Sequence, residues 1–303
     1  MKVISYFKIY SCVIWAMIFA GCIKEDLEIC LPQLVRLNFV FVPSEACAEE
    51  PIIPTDLNRL SVFLFDHHGR FVQQVDTIPT GSNYQIELSL EPAHYQFVAV
   101  AGYDEGQLDG VPFIPGVTHI QDVAVSSYLE QRDGSLMSAE QVLYLGHDTL
   151  TVQPEVPGQE LSMTLVQQTK TLNVTVDGIA NTQYRIALAG NAARYMFEMG
   201  QVYLTGSPVI YIPLKQEGGI FEGQTLVNWP LKDEGDYTRL QIIDPTTGRR
   251  VVDEILLELL ERVPEIDLEC STGFDIEIVY RINAGLTIYI ENWKVYSDGY
   301  ILI

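Results

Sequence analysis

Alternation of apolar and polar residues predicts β-strands over much of the first half of the chain. It is clearest in residues 84–90, where every second residue is Tyr, Ile or Leu and the residues between them are Gln, Glu and Ser. A strand with this pattern has one face in a core and the other in solvent. Alternation and short apolar runs predict further strands at residues 34–42, 57–65, 71–75 and 95–101.

The second half of the chain continues this pattern with one exception. Residues 161–179 predict two strands joined at a Gln-Gln-Thr-Lys corner. In residues 254–262 the apolar side chains follow helical spacing and Pro264 lies just beyond them, so we expect a helix there. Residues 102–121 predict a long irregular loop, and residues 138–145 fit either a short helix or a strand. Further strands are predicted at residues 184–189, 209–214, 237–243, 274–280 and 286–291.

Short strands separated by turns favour an all-β fold built from sandwiches, with at most one or two short helices. Strands and helices do not alternate in the way a parallel sheet requires. A length of 303 residues suits two domains of about 100–150 residues each. Two prolines and a glycine fall within residues 154–158, which we predict to be the linker between an N-terminal sandwich at 34–153 and a C-terminal sandwich at 159–303.

The N-terminal residues 1–21 have the layout of an export signal peptide. Two lysines precede the apolar residues 9–20, a run shorter than the ~20 residues that a membrane-spanning helix needs. The run ends in a segment that resembles a lipobox, with Phe19 where Leu is usual, so Cys22 is predicted to carry a diacylglycerol and an acyl chain. Residues 22–33 would form the lipidated tether. An ordinary export signal cleaved elsewhere is the alternative.

A lysine and two acids follow the predicted lipid attachment at once, as Lys24, Glu25 and Asp26. This order resembles a surface-export signal of lipoproteins in one phylum of anaerobic bacteria. The resemblance predicts an outer-membrane lipoprotein that faces the cell surface. A short solvated tether is the other interpretation of the same residues.

The charge of the chain excludes one class of partner. Once residues 1–21 are removed, 16 basic residues remain against 40 acidic ones, a net charge of −24. Such a field repels phosphate backbones and anionic lipid surfaces, so we expect no nucleic acid partner and no electrostatic attachment to a membrane. The acidic surface itself predicts solubility and leaves calcium binding undecided.

Three of the five cysteines lie beyond the predicted lipid attachment, namely Cys30, Cys47 and Cys270. A strand at residues 34–42 would hold its ends ~26 Å apart. Both flanking segments would then have to turn straight back to bring Cys30 to Cys47, so we expect no bridge between them. The sequence indicates no disulfide scaffold and does not decide the state of the three thiols.

The sequence contains no motif typical of an enzyme or of a metal site. Adjacent turn residues such as His67 and His68 usually point apart, and the acids of residues 104–109 lack the spacing of a calcium loop. We therefore expect no catalytic residues, no metal, no small-molecule substrate and no cofactor other than the lipid. Two tripeptides that begin at Asp76 and Asp148 resemble an O-glycosylation motif, which makes Thr77 and Thr149 hypothetical acceptors. Plain turn residues explain them equally well.

The order of these features resembles the FimB-like fimbrial anchor family of the fimbrillin superfamily. The lipobox is followed by the strand LVRLNFVF, then by LNRLSVFLFDHHGRFV at 57–72 and LEPAHYQFVAVAGY at 90–103. The second half opens with MTLVQQTKTLNVTVDGI at 163–179. The resemblance is strongest over residues 20–103 and 160–180 and weak near the C-terminus.

The resemblance implies two tandem transthyretin-like β-sandwich domains. It implies a lipid-anchored subunit at the base of a surface fimbria, which ties the polymer to the outer membrane and takes part in its assembly by strand addition to fimbrial shaft subunits. Shaft subunits of the superfamily lose their first strand by cleavage at a basic residue. Residues 43–58 contain no Lys or Arg and Arg59 follows at the edge of the next strand, so the first strand is expected to stay.

Two other functions remain open on the sequence alone. A glycan-binding surface lipoprotein is the main alternative, because Trp229, Trp293 and the 16 tyrosines could form an exposed aromatic platform. An exposed cluster of two or three aromatic side chains would favour it, and buried tryptophans would not. An enzyme is the third function, and a cleft with converging carboxylates would favour it.

Overall fold

The computed structural model describes residues 31–54, 57–79, 84–109, 112–132, 134–154, 156–178, 184–206, 208–217, 220–231, 237–281 and 285–298. The predicted signal peptide, Cys22, the three residues of the predicted export signal, namely Lys24, Glu25 and Asp26, and Cys30 lie outside these ranges. None of the helices in the described ranges is long and apolar enough to cross a membrane.

The first half of the described chain forms eleven strands, most of them short. In chain order they are β1 (Gln33–Val42), β2 (Leu60–Asp66), β3 (Phe71–Thr77), β4 (Gln85–Leu90), β5 (His94–Ala101), β6 (Leu108–Asp109), β7 (Ala124–Ser126), β8 (Tyr128–Glu130), β9 (Leu136–Ser138), β10 (Tyr144–Thr151) and β11 (Gln159–Gln167). Single turns of 3₁₀-helix lie at Glu45–Cys47, Glu105–Gln107 and Ile120–Asp122.

The second half of the described chain adds twelve strands and one helix. The strands are β12 (Thr169–Asp177), β13 (Arg185–Ala189), β14 (Ala193–Met196), β15 (Gly200–Tyr203), β16 (Val209–Tyr211), β17 (Leu214–Glu217), β18 (Ile220–Asn228), β19 (Arg239–Ile243), β20 (Arg250–Ile255), β21 (Gly273–Arg281), β22 (Gly285–Ile290) and β23 (Trp293–Asp298). The helix, α1, spans Leu256–Leu260 within the predicted range, and β20 takes up the residues before it. These elements confirm the all-β class.

The first sandwich is one seven-stranded sheet folded back on itself, in the order β3-β2-β5-β10-β11-β1-β4. Strand β10 pairs with β11 only at Tyr144 and Leu145, so the sheet separates there into a four-stranded half and a three-stranded half. Both halves contribute to one core, because the inward side chains of each alternate with outward polar ones. Its fully buried members include Val35, Leu37, Leu60, Val62, Leu64, Ala99, Ala101, Met163 and Leu165.

The second sandwich packs two six-stranded sheets against each other, β17-β18-β12-β21-β22-β23 and β20-β19-β13-β16-β9-β8. Helix α1 closes one end of their shared core, because its side chains at helical spacing, Leu256, Leu259 and Leu260, are fully buried. The sheet residues in this core include Leu172, Val174, Ile186, Leu188, Leu240, Ile242, Ile276 and Ile288.

The two halves of the chain exchange strands. Strands β8 and β9 come from the first half but join the second sandwich through the pairing of β9 with β16. A separate four-stranded sheet, β15-β14-β7-β6, combines two strands from each half. This sheet covers the outer face of β2 and β5, where Phe63, Phe65, Tyr195 and Phe197 form a further buried cluster. Residues 102–121 were predicted to form an irregular loop. They contain the short strand β6, the 3₁₀ turn at Glu105–Gln107 and the first residues of the 3₁₀ turn at Ile120–Asp122.

The chain leaves the first sandwich for the last time at Gln168, after residues 154–158, which were predicted to be the linker. Strand β11 pairs in parallel with β1 from Val35↔Gln159 to Val42↔Val166, which makes it part of the first sandwich. Strand β12 starts at Thr169 and pairs with β18 and β21 of the second. The Pro- and Gly-containing residues at 154–158 therefore connect two strands of the same sheet.

Candidate functional site

Strand β1 occupies the centre of the three-stranded half of the first sandwich. It pairs with β11 on one side and with β4 on the other. Its inward side chains are buried, and the ring of Phe41 contacts those of Tyr84 and Tyr144 edge-on at centroid distances of 4.9 and 5.1 Å. Removal of β1 would expose this apolar face, leave β4 without a partner strand and leave β11 paired only with β10 at its C-terminal end, so the sandwich depends on β1.

Arg36 ties the solvent face of β1 to both neighbouring strands. Its guanidinium lies 3.0 Å from Glu87 of β4 and 2.9 Å from Glu160 of β11. Both glutamates stand directly opposite Arg36 in their registers. The hydrogen bonds to Glu87 and Glu160 raise the pKa of Arg36. Opposite charges at such cross-strand positions favour this register over a shifted one.

Arg59, the basic residue that follows the first strand, is held by two acids. Its guanidinium lies 2.7 Å from Asp76 and 3.2 Å from Glu105. The next residue, Leu60, is fully buried and begins β2, a strand paired on both sides with β3 and β5. The main-chain oxygen of Arg59 also accepts a hydrogen bond of 3.2 Å from Gly102. The Arg59–Leu60 peptide bond is therefore embedded in the sheet.

A chain of hydrogen bonds extends from this ion pair into the core. Tyr103 donates to the hydroxyl oxygen of Ser61 at 2.7 Å, and Ser61 donates to Asp76 at 2.5 Å. Burial raises the pKa of Asp76, but the hydrogen bonds from Ser61, Gln74 and Arg59 outweigh that effect and hold the pKa below its ordinary value. Asp76 is thus charged at neutral pH and keeps Arg59 in place.

The two hypothetical glycosylation acceptors lie on the surface of the first sandwich. Thr77 is the last residue of the edge strand β3 and lines a cleft of about 460 Å³ beside Arg59. Thr149 is exposed on β10, beyond the point where β10 and β11 separate. Glycosylation at either residue stays a prediction.

A disulfide between Cys47 and Cys270 joins the two sandwiches, with 5.7 Å between their α-carbons. Cys47 ends the 3₁₀ turn that follows β1, and Cys270 lies in the loop between α1 and β21. The sequence left the state of Cys47 and Cys270 undecided and excluded only a bridge between Cys30 and Cys47. The two partners are 223 residues apart, so only the fold brings them together.

Lys170 organises the loop that carries Cys270. This lysine follows the corner between the sandwiches and is fully buried. Its ammonium donates hydrogen bonds of 2.6, 2.8 and 2.7 Å to the main-chain oxygens of Leu268, Glu269 and Ser271. The main-chain N–H of Cys270 donates to Asp267 at 2.8 Å. All three ammonium protons therefore have acceptors, as a buried charge requires.

The Lys170 ammonium is packed against aromatic rings, and its protonation is set by burial and by two acids. The ammonium nitrogen lies 4.4 Å from the ring centre of Trp229 and 5.9 Å from that of Phe274. Burial lowers the pKa of Lys170 to about 8, and the charges of Glu269 and Asp267 oppose that shift. The ammonium is therefore charged at neutral pH.

The main chain of Gln168 is held by hydrogen bonds from both sandwiches and from the four-stranded sheet. Its oxygen accepts hydrogen bonds from the hydroxyl of Tyr195 at 2.7 Å and from the main-chain N–H of Trp229 at 2.9 Å. Its own N–H donates to the main-chain oxygen of Leu143 at 2.7 Å. Tyr195 also bonds to Asn228 at 2.8 Å, and burial raises the pKa of Tyr195 well above its ordinary value. Such a satisfied buried network fixes the angle between neighbouring elements.

The acids singled out in the sequence serve structural contacts. Asp104 caps the 3₁₀ turn at Glu105–Gln107, and Asp109 pairs with Arg194 at 2.9 Å.

His67 and His68 lie in the turn after β2, with ring centres 3.7 Å apart. Across the described residues, no group of three or more His, Cys, Asp or Glu side chains is arranged to hold a metal ion.

The two tryptophans named in the sequence analysis have different environments. Trp229 is 5% exposed and packs in the second core, whereas Trp293 on the edge strand β23 is 53% exposed. Tyr211 on β16, in the other sheet of the second sandwich, is 41% exposed. The two exposed rings, Trp293 and Tyr211, lie on different sheets and therefore do not form a shared aromatic platform with each other.

The sequence profile described as fimbrillin-A associated anchor proteins Mfa1 and Mfa2 matches residues 28–299. No match was found among curated proteins.

Several solved structures share the fold. A proposed adhesin from Bacteroides ovatus is 20% identical with a TM-score of 0.70, over 91% of this chain and 98% of that one. The fimbrial anchor protein Mfa2 from Porphyromonas gingivalis is 19% identical with a TM-score of 0.63, over 88% of this chain and 100% of that one. A proposed polysaccharide-binding protein from Bacteroides thetaiotaomicron is 16% identical with a TM-score of 0.66, over 88% of this chain and 98% of that one.

Proposed function

Because this chain belongs to the family of fimbrillin-A associated anchor proteins Mfa1 and Mfa2, we propose that it is the lipid-anchored subunit at the base of a surface fimbria. In this proposal it ties the polymer to the outer membrane and takes part in its assembly by strand addition. The observation that carries the proposal is the position of β1, which is paired with β4 and β11 and has its inward face buried. This position supports retention of β1, the feature expected of an anchor and not of a subunit that gives up its first strand.

Three features support retention of β1. The strand is paired on both sides and its inward face is buried. The Arg59–Leu60 bond lies in the sheet, whereas a protease needs a segment that it can bind in extended form away from its neighbours. The disulfide at Cys47 also keeps the segment after β1 attached to the second sandwich. A groove that would accept a donated strand at this position is therefore already filled.

The lipid would hold the folded part close to the membrane. Strand β1 starts at Gln33, so residues 22–32 span at most ~40 Å even when fully extended. A cysteine with more than one acyl chain is anchored stably, since each buried methylene contributes ~0.8 kcal/mol. This attachment needs no basic surface, which agrees with the strongly acidic composition.

Strand addition would use a sheet edge in the second sandwich. Strand β23 is last in its sheet, so the pairs described for it are all on its β22 side. An edge of this kind offers main-chain donors and acceptors to an incoming strand. The fimbrial shaft subunit is the partner that the family suggests for such an edge.

Lipid attachment and strand retention can be tested together in cells that express the protein. Metabolic labelling with an alkyne analogue of palmitate should label the wild type and the control Cys30→Ala, but not Cys22→Ala. The mature surface protein should not yield Leu60 as its N-terminal residue. Label on Cys22→Ala, or an N-terminus at Leu60, would contradict the proposal.

A further inference from the structure

The Cys47–Cys270 disulfide creates a second covalent route through the molecule. It connects the residue just after β1 to the loop just before β21, and it closes a loop over a sequence separation of 223. We propose that this disulfide carries tension from the membrane-side strand β1 directly into the last three strands, so that residues 48–269 are left out of the path. The inference rests on the proposed function only in assuming that the anchor is pulled from outside.

On the membrane side, the route runs along an element that cannot lengthen much. Tension from the tether enters β1 at Gln33 and leaves it near Val42 on the way to Cys47. A β-strand already rises ~3.3 Å per residue, close to the limit of an extended chain. Since the pull follows the covalent chain through β1, its ladder bonds to β4 and β11 are not the bonds under load. The first sandwich can stay folded while the force passes through it.

On the outer side, the tension acts on the second sandwich parallel to its strands, so that it shears β21 and β23 against β22. Strands β21 and β23 run in the same direction, because each is antiparallel to β22. If the outward pull acts at the Asp298 end of β23, the edge strand proposed for the partner, tension that enters at Cys270 acts at opposite ends of this sheet. Ladder bonds lie across the strands, so such a pull loads many of them at once instead of one after another. A three-strand meander in shear resists separation.

The structure holds both ends of the bridge in place. Cys47 is buried, and its main-chain N–H and oxygen bond to Ser44 and Glu50 at 3.2 and 3.0 Å. On the other side, Lys170 binds three main-chain oxygens of the loop that carries Cys270. Without the bridge, the same tension would pass through every residue from 48 to 269, including all strands from β2 to β20.

Single-molecule pulling on the full processed chain tests the proposal, with handles at residue 22 and after Ile303. The oxidised protein should release a contour length shorter by about 740–800 Å than the reduced protein, the extended length of a 223-residue loop. The variant Cys47→Ser/Cys270→Ser should match the reduced protein. Reduction of a single wild-type molecule held under force gives the same comparison without requiring the variant to fold. Equal lengths in oxidised and reduced protein would overturn the inference.

A second measurement in cells separates this inference from the proposed function. Fluid shear is applied to cells that carry either the wild type or Cys47→Ser/Cys270→Ser, and the fimbriae shed into the medium are counted. In the same cells without shear, the amount of shaft subunit that co-purifies with the anchor is measured. We expect equal co-purification and at least several-fold more shedding from the variant. Equal shedding with intact co-purification would overturn the tension route and leave the anchor function standing.

Discussion

The ammonium nitrogen of Lys170 lies 4.4 Å from the ring centre of Trp229, at the point where the two sandwiches meet. This one side chain satisfies three main-chain oxygens of the loop that presents Cys270 and packs on the core of the second sandwich. Lys170 therefore contributes to the packing of the core, to the order of the loop and to the position of Cys270 in the disulfide. We expect a substitution of Lys170 to affect all three.

Lys170→Met should lower the free energy of unfolding by about 2–4 kcal/mol. The substitution keeps an apolar stem of similar length but leaves three main-chain oxygens without their charged donor. Chemical denaturation of the oxidised protein measures the change. Lys215→Met on the exposed edge strand β17 is the matched control and should stay within ~0.5 kcal/mol of the wild type. A Lys170→Met variant as stable as this control would contradict the assigned role.

The stability that depends on Lys170 should rise with pH. Its pKa falls from the ordinary 10.5 to about 8 in the folded chain because the charge is buried. Between these two values the unfolded chain binds more protons than the folded one, so this group's contribution rises with pH and is lowest below pH 8. The stability difference between wild type and Lys170→Met should therefore grow by about 2–3 kcal/mol between pH 7.5 and 10. A constant difference would show that the pKa of Lys170 is not lowered.

Removal of the disulfide should destabilise the protein without changing its secondary structure. Cys47→Ser/Cys270→Ser opens a loop with a sequence separation of 223, which predicts a loss of about 2–5 kcal/mol because the unfolded chain gains freedom. Thermal unfolding followed by circular dichroism measures the loss, and wild type in reductant should show the same one. If reductant does not change the stability of the wild type but the variant is destabilised, the loss is caused by the serine substitutions and not by loss of the disulfide.

Trypsin should cut the folded chain at the exposed Arg249 before it cuts at Arg59. Arg59 is held by Asp76 and Glu105, and its peptide bond to Leu60 lies at the start of a paired strand. Asp76→Ala removes an acceptor of Arg59, Ser61 and Gln74, so cleavage at Arg59 should become several-fold faster. Mass spectrometry of the limited digest identifies both sites. Equal rates at Arg59 and Arg249 in the wild type would show that Arg59 is open to proteases.

The sequence predicted the elements whose pattern is local. Strands β1, β4 and β5 alternate or are apolar over six or more residues, the corner before Lys170 separates β11 from β12, and helical spacing located α1. Strand β16 falls within the strand predicted at 209–214. Strands β6 to β9, β14 and β15 have two to four residues each, and several pair with distant parts of the chain. Segments this short carry too little periodicity to be recognised, and their partners are set by tertiary packing.

The candidate site was less predictable than the fold. The absence of Lys and Arg from residues 43–58 led to the prediction that the first strand is retained, and nothing in the sequence indicated the ion pairs of Arg59. Those pairs are tertiary contacts that join the residue before β2 to Asp76 on β3 and to Glu105 in a 3₁₀ turn. Nothing local marks Lys170 as buried, since lysine in a strand usually faces solvent. The partner of Cys47 lies 223 residues away, and chain-length limits could only exclude a bridge to Cys30. These features depend on tertiary contacts between segments that are far apart in the sequence.

A tagged pull-down from solubilised outer membranes, with the recovered proteins identified by mass spectrometry, shows whether the chain anchors a fimbria. We expect recovery of a fimbrial shaft subunit in an amount close to that of the bait, and loss of that subunit from the membrane fraction when Cys22 is replaced by alanine. Recovery of the bait alone, or with components of a polysaccharide-uptake system, would contradict the anchor function and favour glycan binding.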